Sequence, residues 1–81
     1  MVQVHFWGGL KPVTGGVSSA RIEARDIREL FAKLAEAYPG IQPHIERGIA
    51  VSINGKIFRD SWGEKLPETA EIYLLPRIAG G

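Results

Sequence analysis

No cysteine occurs among the 81 residues of the chain. This absence excludes a disulfide framework, a thiolate metal site and a cysteine nucleophile. A strong charge of either sign is also missing, because 10 Lys and Arg residues are balanced by 9 Asp and Glu residues, which gives a formal net charge of +1. That balance argues against a dedicated nucleic-acid binder, which would carry a basic excess, and against an acidic disordered tail.

Long apolar runs are missing as well. No apolar stretch approaches the ~20 residues of a membrane span. The opening segment Met1–Leu10 has no basic stretch followed by a long apolar region. We therefore expect no signal peptide and a cytoplasmic protein. A composition that is 44% hydrophobic and 23% charged is typical of one globular domain. A domain of this size has little room for a deep catalytic pocket beside its core.

Catalytic signatures are equally scarce. The two histidines, His5 and His44, lie far apart in the sequence. No Gly-x-Ser-x-Gly motif, His-x-x-x-His motif or clustered acidic spacing is present. The glycine pairs at 8–9 and 15–16 fit neither a dinucleotide fingerprint nor a phosphate loop, so we interpret them as turn glycines. The sequence therefore predicts that the protein is not an enzyme and holds no metal ion of its own.

The first part of the chain predicts a β-hairpin. Residues 2–7 alternate, with Val4 and Phe6 on one face and Trp7 on the other, as in a strand with one buried face. A loop of moderate length follows. Residues 17–24 then resume an extended pattern that completes an antiparallel pair.

The clearest helix signal comes next. Asp26 is a good N-cap, and Glu29 three residues later is typical of a capping box. An apolar stripe at the spacing of one helix face then includes Ile27, Leu30, Phe31, Leu34, Ala35 and Tyr38. Pro39-Gly40 ends this helix, and residues 41–48 are expected to form a short helical turn and a loop.

Three more strands are predicted in the second half. Residues 49–53 alternate and lead into Asn54-Gly55, a pair that tolerates the positive φ angles of a type I′ hairpin turn. The returning strand covers 56–59, and the last strand covers 71–75 and ends at Pro76. One helix must bury its stripe against a mixed sheet in which the last strand lies beside the first. This order predicts an α+β fold of the β-grasp, or ubiquitin-like, type.

The end of the chain predicts a separate tail. We expect residues 1–76 to form the domain and residues 77–81 to leave it as a flexible segment, because Pro76 cannot extend the hydrogen-bond ladder of a sheet. Gly80-Gly81 stabilises little, since glycine loses the most entropy on ordering. Two residues without side chains suit a narrow enzyme passage in which the terminal carboxylate is the group presented. Frayed, glycine-rich ends are also common, so this pattern alone leaves both interpretations open.

Over essentially its whole length the chain resembles the ThiS/MoaD family of small sulfur carriers, typified by the small subunit of molybdopterin synthase and the sulfur carrier of thiazole synthesis. The segments that carry the resemblance are Val4-His5-Phe6-Trp7-Gly8-Gly9-Leu10-Lys11, Tyr38-Pro39-Gly40, Val51-Ser52-Ile53-Asn54-Gly55 and Leu74-Leu75-Pro76-Arg77-Ile78-Ala79-Gly80-Gly81.

The chain also departs from the usual pattern of that family in several segments. Glu68-Thr69-Ala70-Glu71 stands where the family usually has an Asp-Gly-Asp turn, and Pro76-Arg77 stands where molybdopterin-type chains commonly have Pro-Pro. Arg59-Asp60-Ser61-Trp62 is more similar to the thiazole branch. The stretch 76–80 is also similar to the end of the ubiquitin-like region in certain phage tail-assembly proteins.

The resemblance implies that the protein is a substrate of other enzymes and not a catalyst. A ubiquitin-activating-type adenylyltransferase would use ATP to adenylate the carboxylate of Gly81, and sulfur would then displace AMP to leave a thiocarboxylate. A synthase large subunit or a thiazole synthase would consume that sulfur, with molybdopterin synthesis the favoured pathway. The resemblance implies no cofactor bound by this chain. The balanced charge and the lack of long apolar runs predict no nucleic-acid partner and no membrane partner.

The resemblance also implies roles for the tail residues. Gly81 is the expected reaction site and Gly80 its unhindered neighbour. Ala79, Ile78 and Arg77 are expected tail contacts with the partner. The Arg77 side chain either pairs with an acidic group of the partner or is a solvated charge.

Partner docking requires an exposed surface in addition to the tail. We expect Trp7, Phe58 and Leu75 to form an apolar partner-binding patch. The alternative is that Trp7 folds over the edge of the sheet and is simply buried.

Three other functions remain open from the sequence. The chain could supply sulfur for thiamine thiazole synthesis. It could be a ubiquitin-like modifier joined through Gly81 to lysines of other proteins. It could also be an assembly module of the phage tail type.

Overall fold

The computed structural model describes residues 1–59 and 61–76. Within those ranges the chain forms five strands and three α-helices. In chain order they are β1 Val2–His5, α1 Lys11–Thr14, β2 Ser19–Ile22, α2 Ile27–Ala37, α3 Gln42–Arg47, β3 Ile49–Ile53, β4 Lys56–Phe58 and β5 Glu71–Pro76. Short 3-10 turns at Gly8–Leu10 and Pro39–Ile41 precede α1 and α3. The predicted tail, residues 77–81, lies outside the described residues.

The strands form one mixed sheet in the order β2-β1-β5-β3-β4. β1 and β5 are parallel neighbours, with Val4 opposite Ile72, and the other three pairs are antiparallel. The last strand therefore lies beside the first, as the sequence predicts. Together with the helix that packs on one face, this topology confirms the β-grasp fold.

The core lies between α2 and one face of the sheet. Leu30 and Leu34 of α2 are fully buried, as are Val4 of β1 and Ile72 of β5. Burying each side chain of this size contributes about 1.5–3 kcal/mol relative to leaving it in water. The helix stripe that the sequence predicts is the stripe that the structure buries, because its 3.6-residue spacing keeps these side chains on one face.

The start of α2 is held by its cap and by a loop. The Glu29 backbone N–H donates to the Asp26 carboxylate at 2.8 Å, which confirms Asp26 as the N-cap. The Glu29 carboxylate accepts from the Arg25 N–H at 2.7 Å. It therefore reaches one residue before the cap, and not the cap itself as in a standard capping box. Carbonyls of the loop 61–66 accept from the first two helical N–H groups.

The loop predicted between the first two strands contains regular structure. α1 follows a 3-10 turn, begins beside Pro12 and ends at Gly15, whose φ of 69° is left-handed. Proline in a first turn and glycine past the end are favourable for a helix, which explains why this short segment is helical. Residues 41–48 are also more helical than expected, since α3 occupies most of them.

Several strand bounds differ from the prediction. β1 ends at His5 and not at Trp7, and β2 and β4 are also shorter than predicted. β5 extends one residue further than expected, because Pro76 is in register with Ile49 of β3. β3 is buried along its whole length and not on alternate residues. Its small residues Ala50 and Ser52 lie opposite the larger Leu75 and Tyr73 of β5.

Candidate partner-binding site

Three strand termini lie together at the end of the sheet where the chain continues toward residue 77. β5 runs parallel to β1, so the C-terminal ends of both strands lie there. The start of β3 lies there too, because Ile49 is opposite Pro76. The predicted reaction site Gly81 and the predicted contacts Gly80, Ala79, Ile78 and Arg77 all lie outside the described residues. Their roles stay predictions.

An apolar surface lies on the sheet face opposite α2. Ser52 of β3 is opposite Tyr73 on one side and Ile57 on the other. Tyr73 is 48% exposed and Ile57 is 53% exposed, although both are large and apolar. Leu75 lies on the same face, two residues beyond Tyr73, and is half-buried. We call Ile57, Tyr73 and Leu75 the outer apolar row.

A polar pair borders this row on the β1 side. His5 is opposite Tyr73 in the parallel pairing. The two rings are stacked, with centroids 4.4 Å apart and planes 15° apart. The His5 Nε2 atom lies 2.6 Å from the Glu71 Oε2 atom. The exposed fractions of the His5 and Glu71 side chains are 30% and 60%, so solvent and any docked partner can reach this pair.

The structure does not bring the three predicted partner contacts onto one face. Leu75 lies on the outer face. Phe58 is opposite Val51 and packs against the core, on the helix side of the sheet. Trp7 lies beyond the end of β1, packs against the core, and has its ring 6.2 Å from that of His44 in an edge-on arrangement. The prediction that Trp7 stands on the outer strand face is therefore wrong, because the strand ends two residues before it.

Sequence reasoning missed Ile57 and Tyr73. A signal for Ile57 was present, since a two-residue turn at Asn54-Gly55 fixes the register of the hairpin. That register places Ile57 beside the polar Ser52, and Phe58 beside the apolar Val51. Counting from the turn would have selected Ile57 as the outward residue.

The described residues form neither a metal site nor a membrane span. Within residues 1–59 and 61–76, no group of three or more His, Cys, Asp or Glu side chains is placed to hold a metal ion. None of the helices described there has the length and apolar character that crossing a bilayer requires. Two surface depressions beside Met1, of about 280 and 330 Å³, share no residue with the outer apolar row.

Comparison with known proteins identifies a family. A model of the ThiS family matches residues 4–81. No curated protein matches the chain. Among solved structures, a chain of the complex of subunits 1 and 2 of molybdopterin-converting factor from Helicobacter pylori 26695 is 30% identical. The alignment covers 99% of this chain and 97% of that one, with a TM-score of 0.71.

Two more distant structures are similar in fold. A chain of the Amycolatopsis orientalis BexX/CysO complex is 22% identical over 100% of both chains, with a TM-score of 0.82. The small archaeal modifier protein 1 from Methanosarcina acetivorans is 21% identical over 99% of this chain and 95% of its own, with a TM-score of 0.78. The family match over nearly the full sequence shows more than fold. The chain belongs to the ThiS family of ubiquitin-like sulfur carriers.

Proposed function

We propose that this protein is a sulfur carrier whose Gly81 carboxylate is adenylated and then converted to a thiocarboxylate. The observation that carries the proposal is the ThiS-family match, which continues through Gly81. The β-grasp topology supports it, because β5 leads from the centre of the sheet directly to residue 77. In this role the protein is the substrate of the chemistry, and partner enzymes are the catalysts.

The chemistry has two steps. A carboxylate oxygen of Gly81 attacks the α-phosphorus of ATP, and pyrophosphate leaves. Hydrosulfide, or a donor that delivers its equivalent, then attacks the acyl carbon, and AMP leaves with the bridging oxygen. Adenylation is needed because an oxide ion is a very poor leaving group, whereas AMP is a good one. Mg²⁺ and basic groups of the partner would stabilise the charge on the phosphates.

The tail residues have separate roles in this proposal. Gly80 and Gly81 carry no side chains, so a partner can enclose the backbone and reach the carboxylate. Ala79 and Ile78 contact the walls of that passage, and Arg77 pairs with an acidic group at its entrance. The protein acts in the cytoplasm, where ATP and the activating enzyme are present.

The outer apolar row is the proposed docking surface for the partners. Exposed large apolar side chains that lie together on one face are typical of protein–protein contacts. Leu75 directly precedes Pro76, so a partner that covers the row is in position to receive the residues that follow. Trp7 and Phe58 pack against the core away from this face and lie outside the row.

The favoured pathway is molybdopterin synthesis, with a synthase large subunit as the partner that consumes the sulfur. Support comes from the 30% identity to a chain of the molybdopterin-converting factor complex. A thiazole synthase is the corresponding partner if the sulfur enters thiamine. Similarity to a small archaeal modifier protein favours a second function, attachment of Gly81 to lysines of other proteins. Neither the family match nor the topology favours a phage tail module.

Intact-mass spectrometry tests the proposal. The full chain is incubated with the adenylating enzyme of its own organism, ATP and a sulfide source. Replacement of one carboxylate oxygen by sulfur adds ~16 Da. We expect that gain with ATP and no gain without it. An unchanged mass under both conditions would contradict a sulfur carrier. Isopeptide adducts on lysines in place of the thiocarboxylate would indicate the modifier function.

A further inference from the structure

We propose that His5 and Glu71 are positioning residues for docking, which hold the Tyr73 ring in the orientation that the adenylating enzyme binds. This inference rests on the proposed function and specifies how its docking surface is organised. The partner surface is expected to be an apolar slot that receives the flat Tyr73 ring beside Leu75.

The geometry around Tyr73 fixes the orientation of its ring. Its ring belongs to the central strand β5, with His5 on one side and Ser52 on the other. The ring lies almost parallel to the His5 imidazole, at a centroid distance of 4.4 Å. An offset stack of this kind stabilises one orientation of an aromatic pair. The exposed Tyr73 side chain is therefore held by a neighbour that is itself on the surface.

The imidazole of His5 is itself held in place by Glu71. Glu71 lies two residues before Tyr73, so both side chains extend from the same face of β5. Its carboxylate Oε2 lies 2.6 Å from the His5 Nε2. The imidazole is thus held through one nitrogen atom by Glu71 while one ring face lies against Tyr73. The three side chains form one ordered unit at the border of the outer apolar row.

The three side chains lie outside the core, so their expected contribution is to docking and not to stability. His5, Glu71 and Tyr73 are not members of the buried core cluster. Ion pairs as exposed as that of His5 with Glu71 contribute little to folding. Ordering an exposed aromatic side chain before binding does lower the entropy lost on docking. The expected effect of the pair is therefore on partner affinity.

The test is ATP–pyrophosphate exchange with the adenylating enzyme of the protein's own organism, measured as KM for the carrier and as kcat. His5→Ala removes both the stack and the bond to Glu71, whereas His5→Phe keeps a stacking ring and removes the bond. We expect His5→Ala to raise KM about two- to tenfold with kcat unchanged. His5→Phe should recover most of the loss. Glu71→Gln should give an intermediate KM.

Two controls show that the effect is local. Glu46→Gln changes another exposed glutamate, which accepts from Gln42 at 3.3 Å on α3, and its KM should equal that of the wild type. In NMR spectra, the ring-current shift of the Tyr73 ring protons should be lost in His5→Ala and retained in His5→Phe. Because His5→Phe and Glu71→Gln preserve the size of the original side chain, they report on docking even if His5→Ala does not fold.

Two results would overturn the proposal in different ways. An unchanged KM, or a lower kcat at unchanged KM, in the His5 and Glu71 variants would overturn the positioning role alone. No exchange by the wild-type chain would overturn the proposed function, and this inference with it.

Discussion

Asn54 and Glu71 are joined by two hydrogen bonds, one donated by each residue. The Glu71 N–H donates to the Asn54 Oδ1 at 2.9 Å, and the Asn54 N–H donates to the Glu71 carbonyl at 2.9 Å. The turn between β3 and β4 is thereby tied to the first residue of β5. Asn54 also has a φ of 50°, and Gly55 has a φ of 91°, as a type I′ turn requires.

Replacing Asn54 should therefore destabilise the fold in two separable ways. Asn54→Ala removes the side-chain acceptor and places a Cβ residue at positive φ, so we expect a loss of about 1–3 kcal/mol in the free energy of unfolding. Asn54→Gly keeps the turn geometry and removes the acceptor alone, and its loss should be smaller. Denaturant unfolding measures both values. Equal losses would mean that backbone strain has no part in the effect.

The cap of α2 predicts a second stability change. Asp26→Ala leaves the Glu29 N–H without the acceptor that it has at 2.8 Å, and should cost about 0.5–2 kcal/mol. Asp26→Asn retains an acceptor and should cost much less. Thermal and denaturant unfolding check the pair. If the two variants were equally destabilised, the negative charge, and not the hydrogen bond, would be the stabilising feature.

The buried stripe of α2 predicts the largest single loss in the free energy of unfolding. Leu34 is fully buried, and Leu34→Ala should destabilise the protein by about 2–5 kcal/mol through lost burial and a residual cavity. Glu36→Ala, on the exposed side of the same helix, should change stability by less than about 0.5 kcal/mol. A loss below that value for Leu34→Ala would be inconsistent with a core position.

The outer apolar row predicts a change in binding without a change in folding. Ile57→Glu places a charge at a 53% exposed position on the docking face and should raise the KM for adenylation at least about fivefold. Val17→Glu alters another exposed apolar residue, 38% exposed and outside the row, and should leave KM unchanged. Both variants should keep the melting temperature of the wild type. Equal KM values for the two variants would argue against docking through this face.

Deleting the last two residues should abolish function without changing stability. Pro76 cannot extend the hydrogen-bond ladder of the sheet, and glycine residues stabilise little on ordering, so deleting Gly80 and Gly81 should leave the melting temperature unchanged. The deletion should abolish sulfur loading, because the carboxylate would then lie on Ala79, two residues short, and near-attack geometry tolerates errors of only about 1 Å.

A milder variant refines that test. Gly81→Ala should fold normally and load poorly, because its Cβ must enter a passage that fits bare backbone. Intact-mass spectrometry and thermal unfolding together report both properties. Equal loading of truncated and full-length protein would disprove the role of Gly81.

Local signals account for the parts of the fold that the sequence predicts well. The Asp26 cap, the stripe of α2 and the Asn54-Gly55 turn each depend on residues a few positions apart, and all three are present in the structure. α1 was missed because paired glycines at both ends are typical of loops. Its Pro12 and left-handed Gly15 were the available signals for a short helix.

The docking surface was less predictable because it depends on pairing across strands. Ala50 and Ser52 are buried at 7% and 8% exposure on the outward face, where they lie opposite the larger Leu75 and Tyr73 of β5. The stack of His5 on Tyr73 joins residues 68 positions apart, and it exists because β1 and β5 are parallel neighbours. No periodicity within one segment contains that information.

The central place of β5 has a consequence for the order of events during synthesis. β5 lies between β1 and β3, so the two halves of the sheet cannot join until residues 71–76 have left the ribosome. Pairing the first strand with the last is a contact of high sequence separation, which slows folding relative to local structure. Folding is therefore expected to be completed after translation of the whole domain. A partner that recognises the assembled outer face would then bind and activate fully translated, folded chains and would not bind chains that are still being synthesised.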